Sequence, residues 1–189
     1  GKAVQTVNPP NASVGTSQLV DGAVTSAKLA SGVGGKVLQV VSTLKTDTTV
    51  ISFTGTYTDI SGLSVNITPS ATSSKILVIT HVNGGNDINS NNCYMRIVRD
   101  STAIAIGDSP SSRIAGTFQL QVPANNLTTT GSMTVLDSPS STSQLTYKIQ
   151  GETGNAGGGG IYINRSNSDA NDESTMRATS SITVMEIGE

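Results

Sequence analysis

Apolar residues recur along this chain with a period of two. Leu63-Ser64-Val65-Asn66-Ile67, Thr117-Phe118-Gln119-Leu120-Gln121-Val122, Ser132-Met133-Thr134-Val135-Leu136 and Gln144-Leu145-Thr146-Tyr147-Lys148-Ile149 each alternate apolar with polar. Successive side chains of a strand point to opposite faces, so these segments read as half-buried strands. Tyr94-Met95-Arg96-Ile97-Val98-Arg99 alternates as well, and short apolar runs stand at 37–41, 49–53, 102–106, 160–164 and 181–187. One segment differs. Lys75-Ile76-Leu77-Val78-Ile79-Thr80-His81-Val82 is almost continuously apolar, which predicts a strand covered on both faces. No segment keeps a helical period beyond one or two turns.

About ten short strands separated by polar turns predict an all-β fold, a jelly-roll-like sandwich spanning 36–189. The stretches 83–92 and 166–175 are polar and are expected as exposed loops, which names Asn86, Asp87, Asn89, Asn91, Asn167, Asp169 and Asp172 as surface contacts. The four glycines 157–160 predict a tight turn or a mobile tip.

The first 35 residues follow another rule. Asn8-Pro9-Pro10-Asn11 is stiff and extended. A degenerate ten-residue repeat follows, with Val14 and Val24 at its first place, Leu19 and Leu29 at its sixth, and Gly22 and Gly32 at its ninth. Two such units are too few to stack into a self-supporting solenoid. They are expected to form an extended N-terminal arm that lies on another surface, with Val14, Leu19, Val20, Val24 and Leu29 as its apolar anchors. A flexible linker hinged at 32–35 is the plainer alternative. The last strand ends near residue 187, so the arm stands at the N-terminal side only, as in a domain fixed at that end and projecting from it.

Composition narrows the function. Charged residues are 13% of the chain and the net charge is −2, with no basic block, so an electrostatic footprint for nucleic acid is missing. No apolar run approaches the roughly 20 residues of a membrane helix, and the start lacks the apolar core of a signal peptide. Cys93 is the single cysteine, which excludes an internal disulfide and a cysteine-built zinc site. His81 is the single histidine and sits in an apolar strand, which favours a packing or interface role over that of a catalytic base. Asp87-Ile88-Asn89-Ser90-Asn91 has the opening spacing of a calcium loop, but Asn92 stands where the turn glycine belongs and Val98 where the bidentate glutamate belongs. Asp169, Asp172 and Glu173 make a second acidic loop that reads as solvated. Phosphate-loop and dinucleotide patterns fail, so no cofactor is expected. Asp59, Asp108, Asp137 and Glu152 could supply paired carboxylates for glycoside hydrolysis, but nothing in the sequence pairs them. Aromatic residues are only 3% with no Trp, which leaves few platforms for stacking sugars; Tyr57, Tyr94, Tyr147 and Tyr162 read as core or interface residues.

An ordered series of segments carries a resemblance. Gly35-Lys36-Val37-Leu38-Gln39-Val40-Val41-Ser42-Thr43, Ile67-Thr68-Pro69-Ser70, Ser74-Lys75-Ile76-Leu77-Val78, Arg99-Asp100-Ser101, Leu136-Asp137-Ser138-Pro139, Ile163-Asn164-Arg165-Ser166 and Ser181-Ile182-Thr183-Val184-Met185-Glu186-Ile187 together resemble a β domain of fibre- or decoration-like structural proteins from marine and cyanobacterial tailed phages. The series runs over most of residues 35–187. The N-terminal repeat is similar to arms found ahead of phage fibre and spike domains. The resemblance implies a non-enzymatic virion component, homotrimeric, assembled in the bacterial host cytoplasm and partnered by itself and by capsid or tail proteins. A projecting capsid decoration or head fibre is the leading expectation. A receptor-binding tail fibre or spike tip, with a host surface glycan as partner, is the alternative, and a surface-polysaccharide hydrolase is the third.

Overall fold

The computed structural model describes residues 24–25, 36–52, 54–87, 92–108, 111–154 and 159–188. The chain divides into two units, Gly1–Lys36 and Val37–Glu189. Of the arm anchors, Val24 is described and is exposed; Val14, Leu19, Val20 and Leu29 lie outside the described residues.

Among the described residues the second unit contains eleven strands: β1 (Val37–Lys45), β2 (Thr49–Ser52), β3 (Thr58–Ile67), β4 (Lys75–Asn86), β5 (Cys93–Arg99), β6 (Thr102–Ile104), β7 (Phe118–Leu120), β8 (Thr129–Asp137), β9 (Leu145–Thr153), β10 (Gly160–Ile163) and β11 (Ser180–Ile187). All pairings are antiparallel. In the first sheet β1 pairs β11, β11 pairs β4, and β4 pairs β8. Beyond β11, the far part of β4 pairs β10, which pairs β2. The second sheet runs β3-β9-β5, with β6 and β7 along the outer edge of β5.

The topology becomes clear once broken strands are rejoined. β1 with β2, β6 with β7 and β10 with β11 are each two pieces of one strand position, which leaves eight positions. Their spatial orders are first-eighth-third-sixth in one sheet and second-seventh-fourth-fifth in the other. That is the eight-strand double Greek key of a jelly roll, as the alternating pattern predicts.

Inward side chains of the two sheets interleave into one core. Ile76, Val78, Val82, Ile161, Ile163, Ile182 and Val184 from the first sheet meet Leu63, Ile67, Met95, Ile97, Tyr147 and Ile149 from the second. Each such aliphatic side chain contributes about 1.5–3 kcal/mol by leaving water. The period of two holds to single residues: β11 alternates buried with half-buried from Ser180 to Ile187, and β9 does so from Leu145 to Thr153.

Two sequence expectations need correction. β4 continues through Asn86, where the polarity of 83–92 predicts loop from residue 83. Gly84 and Gly85 permit this. A Cβ at Gly84 would stand 2.6 Å from the backbone oxygen of Tyr162, and one at Gly85 would stand 2.9 Å from that of Leu127. The second correction concerns the face of β4 turned away from the core. Leu77 and Ile79 are only half-buried there, and Lys75 and His81 are exposed, so among the described residues the outer face of the strand is not fully covered.

The sandwich has distinct ends. β1 begins beside the end of β11, at the end of the sandwich that carries the 68–74, 100–101 and 138–144 connections. The 121–128 connection, the ends of β2, β4 and β9, and the starts of β5 and β10 stand at the opposite end.

Candidate functional site

The sequence singles out the 83–92 and 166–175 stretches as contact loops, and the structure gives their residues different tasks. Asn86 is buried, not exposed. Its side-chain Nδ2 donates to the backbone oxygen of Asp87 at 3.1 Å, and its Oδ1 accepts from the Val122 backbone N–H at 2.8 Å. It ties the end of β4 to the β7–β8 connection, because a buried amide must find partners for both of its ends. Asp87 is half-buried, and Asn89 and Asn91 lie outside the described residues.

Residues 164–179 form a closed excursion between β10 and β11. Asn164 turns the chain outward with φ at +61°, a left-handed conformation that Asn tolerates better than most residues. Its Nδ2 donates to the backbone oxygens of Lys45 at 2.9 Å and Asp47 at 2.8 Å, and its Oδ1 accepts from the Ser180 hydroxyl at 2.6 Å. The base closes through a bridge between Arg165 and Arg177 and through the Ala178 N–H donating to the Asn164 oxygen. Asp169 lies between the two guanidinium groups, 2.9 Å from Arg177 Nε and 3.6 Å from Arg165 Nη1. It is therefore an internal clasp and only half-exposed. Asn167 is half-buried, and its backbone oxygen accepts from Arg165. Asp172 is exposed and accepts from both the N–H and the hydroxyl of Ser174, bonds that lower its pKa by favouring the charged carboxylate. The excursion rests on the β7–β8 connection, where the Ser168 N–H donates to the Asn125 oxygen.

Two depressions accompany this excursion. One of about 220 Å³ is lined by Asp169, Asp172, Met176 and Arg177; the other, about 280 Å³, is lined by Leu127, Thr128, Glu173 and Met176. Both fall below the roughly 300–1,000 Å³ usual for small-molecule sites. Among the described residues no cluster of three His, Cys, Asp or Glu is placed to hold a metal ion.

The candidate catalytic groups are scattered. His81 stands exposed on the outward face of β4. Cys93 is buried, and burial pushes its thiol up to about 12, so the nucleophilic thiolate is suppressed. Asp137 joins the two sheets. It accepts from Arg99 Nη1 at 2.6 Å and from the Tyr147 hydroxyl at 2.6 Å. Asp59, on the outward face of the second sheet, accepts from Lys148 at 2.8 Å and is also bonded to Gln150. These two acids thus belong to different sheets, and each is engaged by neighbours.

One buried acid escapes the loop-centred reading. Glu186 is 1% exposed. Burial pushes its pKa up, but hydrogen bonds from Ser70, Gln39 and Ser74 outweigh that and hold it at about 2. One carboxylate oxygen takes the Ser70 N–H at 2.7 Å and the Ser70 hydroxyl at 2.6 Å, and the other takes Gln39 Nε2 at 2.6 Å. The signal was present in the sequence. Glu186 shares parity with Ile182 and Val184, so the period of two places it inward.

The two outward faces of the sandwich contrast. The outer face of the second sheet is polar and cross-linked: Asp59 to Lys148 and Gln150, Gln150 to Arg96, and Arg96 over the Tyr57 ring at 4.0 Å. The outer face of the first sheet exposes Leu38, Val40, Leu44 and Leu136.

No family model and no curated protein matches the chain. Among solved structures, that of infectious bursal disease virus Gt strain is similar with a TM-score of 0.42 and 12% identity, over 80% of this chain and 38% of that one. The Gx strain structure gives 0.40 and 12%, over 79% and 42%. The VP2 subviral particle of the same virus gives 0.35 and 12%, over 79% and 38%. The chain spans about two fifths of the length of these structures.

Proposed function

We propose that this chain is a structural component of a bacteriophage particle: a projecting capsid decoration or head fibre, homotrimeric and joined to the particle through residues 1–35. The observation that carries this reading is the polarity of the sandwich. β1 starts at one end, and the 121–128 connection, the ends of β2, β4 and β9, and the starts of β5 and β10 stand at the other. A domain entered at one end and presenting loops at the other is arranged to stand on a support. The ordered segments shared with fibre- and decoration-like phage proteins support the same reading. Val14, Leu19, Val20, Val24 and Leu29 are the apolar anchors of the arm, and other capsid or tail proteins are its partners.

A receptor-binding tail fibre or spike tip is the second reading, favoured by the same far-end loops. Immunogold electron microscopy of the source phage, with antibody to residues 36–189, separates the two. Gold over the head is the expected result. Gold confined to the tail end transfers the role to receptor binding, with Asp87, Asn89, Asn91, Asn167 and Asp172 as the first residues to substitute, and particles without gold refute both. Deleting residues 1–33 is expected to leave a folded domain that no longer joins particles; retained incorporation refutes the docking role of the arm.

A further inference from the structure

We infer that the open outer face of the first sheet, formed by β1, β11, β4 and β8, is the surface through which copies of this chain meet. The inference deepens the part of the reading above that has copies of this chain associate, and rests on it.

The strand register builds this face. Val40 stands opposite Met185, Met185 opposite Leu77, and Leu77 opposite Leu136. These three pairings join four residues into one unbroken apolar row across all four strands. Ile79 and Leu38 widen it on either side. Val40 is 55% exposed and Leu136 is 51% exposed, so the row is open at both ends and not a buried ladder. Isolated exposed apolar residues are ordinary in monomers, but a contiguous row on a regular sheet is not.

The rest of the face suits contact with its own kind. Its outward positions on these strands carry Lys75 near one end and His81 near the other, and no acid. Most of the remainder is hydroxyl: Ser42, Thr183, Thr134 and Ser132. The Ser42 and Thr183 hydroxyls bond each other at 2.7 Å, and the Ser42 hydroxyl also reaches the Ile182 backbone oxygen at 3.5 Å, so both donors have partners within the sheet. The central strand argues in the same direction. The apolar run at 76–79 is the composition of a strand covered on both faces, yet among the described residues only its inner face is fully buried, and Leu77 and Ile79 on the outer face stay half-exposed. The opposite sheet provides the contrast, since its outer face spends its long side chains on mutual ion pairs and hydrogen bonds in water.

The area is sufficient. Four strands about 4.8 Å apart and about nine residues long at 3.3 Å each give a face of about 570 Å². Two such faces remove about 1,100 Å² in total, above the roughly 1,000 Å² that a specific contact needs. A second copy supplies a matching face without any other component.

The test is the mass of the purified full chain by size-exclusion chromatography with light scattering, read beside its far-ultraviolet dichroism. The natural chain is expected at a multiple of 19.3 kDa. Val40→Lys with Leu136→Lys is expected to shift it to the single-chain mass with an unchanged spectrum, while Ser64→Lys on the other sheet leaves the multiple intact. A natural chain of single-chain mass at all concentrations overturns the inference, and so does a multiple that survives the double substitution. Should the double variant fail to fold, Thr134→Cys decides: its thiol is expected to be shielded from a maleimide in concentrated protein and to react once diluted. Equal reactivity at both concentrations overturns the inference. Because no particle enters these experiments, their failure leaves the virion reading standing, and absent gold labelling leaves the mass result standing.

Discussion

Acid should loosen this sandwich through Glu186. Its carboxylate is held at about 2 in the folded chain, against an ordinary value of 4.5. A folded pKa below the unfolded one means that the unfolded chain binds the proton more readily. The stabilisation is therefore fully present above about pH 4.5 and is lost as pH falls from there through about 2. The difference corresponds to about 3 kcal/mol at most, using about 1.36 kcal/mol per pH unit. Asp47, Asp59 and Asp172 also have lowered pKa values through their hydrogen bonds, so acid acts on them as well and the wild-type slope alone does not isolate Glu186. Glu186→Gln does. The replacement keeps shape but cannot satisfy all its neighbours. If its oxygen takes the two Ser70 donors, its amide nitrogen faces Gln39 Nε2, a donor that also serves the Thr68 backbone oxygen. A facing pair of donors costs roughly 1–3 kcal/mol at neutral pH. Urea denaturation at pH 7, 4.5, 3 and 2 should show the variant less stable at pH 7 and less sensitive to acid, so that the two curves converge near pH 2. Parallel curves across that range would refute the assigned role of Glu186.

Three more outcomes follow from local geometry. Gly84→Ala places a methyl 2.6 Å from the Tyr162 backbone oxygen, which cannot swing away, so thermal unfolding should show a loss of about 1–3 kcal/mol from overpacking. Asn164→Ala and Asn164→Gly both delete the side-chain bonds to Lys45, Asp47 and Ser180, but only Ala adds the strain of φ at +61°. Ala should therefore be the less stable of the two by about 1 kcal/mol in denaturant titration, and equal stability would refute the strain argument. Asp169→Asn should leave global stability within about 0.5 kcal/mol, because the Arg pair it joins is largely exposed on the Arg177 side, yet raise amide exchange across the excursion.

The sequence determined what a period-two pattern can carry. Side chains alternate across a strand wherever it lies, so the parity of Ile182, Val184 and Glu186, or of Leu145, Tyr147 and Ile149, settled which residues enter the core before any strand was placed. The turns between short runs settled the all-β class. Parity says nothing about neighbours across a sheet. The row from Val40 through Met185 and Leu77 to Leu136 depends on register between segments as far apart in the chain as β1 and β11, and only the closed sandwich fixes it. The loops were the least legible. Asn86 and Asp169 look like surface residues because polar side chains usually face water. Whether a polar group is instead a buried tie depends on which backbone groups the tertiary fold leaves needing a partner, here the Val122 N–H for Asn86 and the twin guanidinium groups of Arg165 and Arg177 for Asp169.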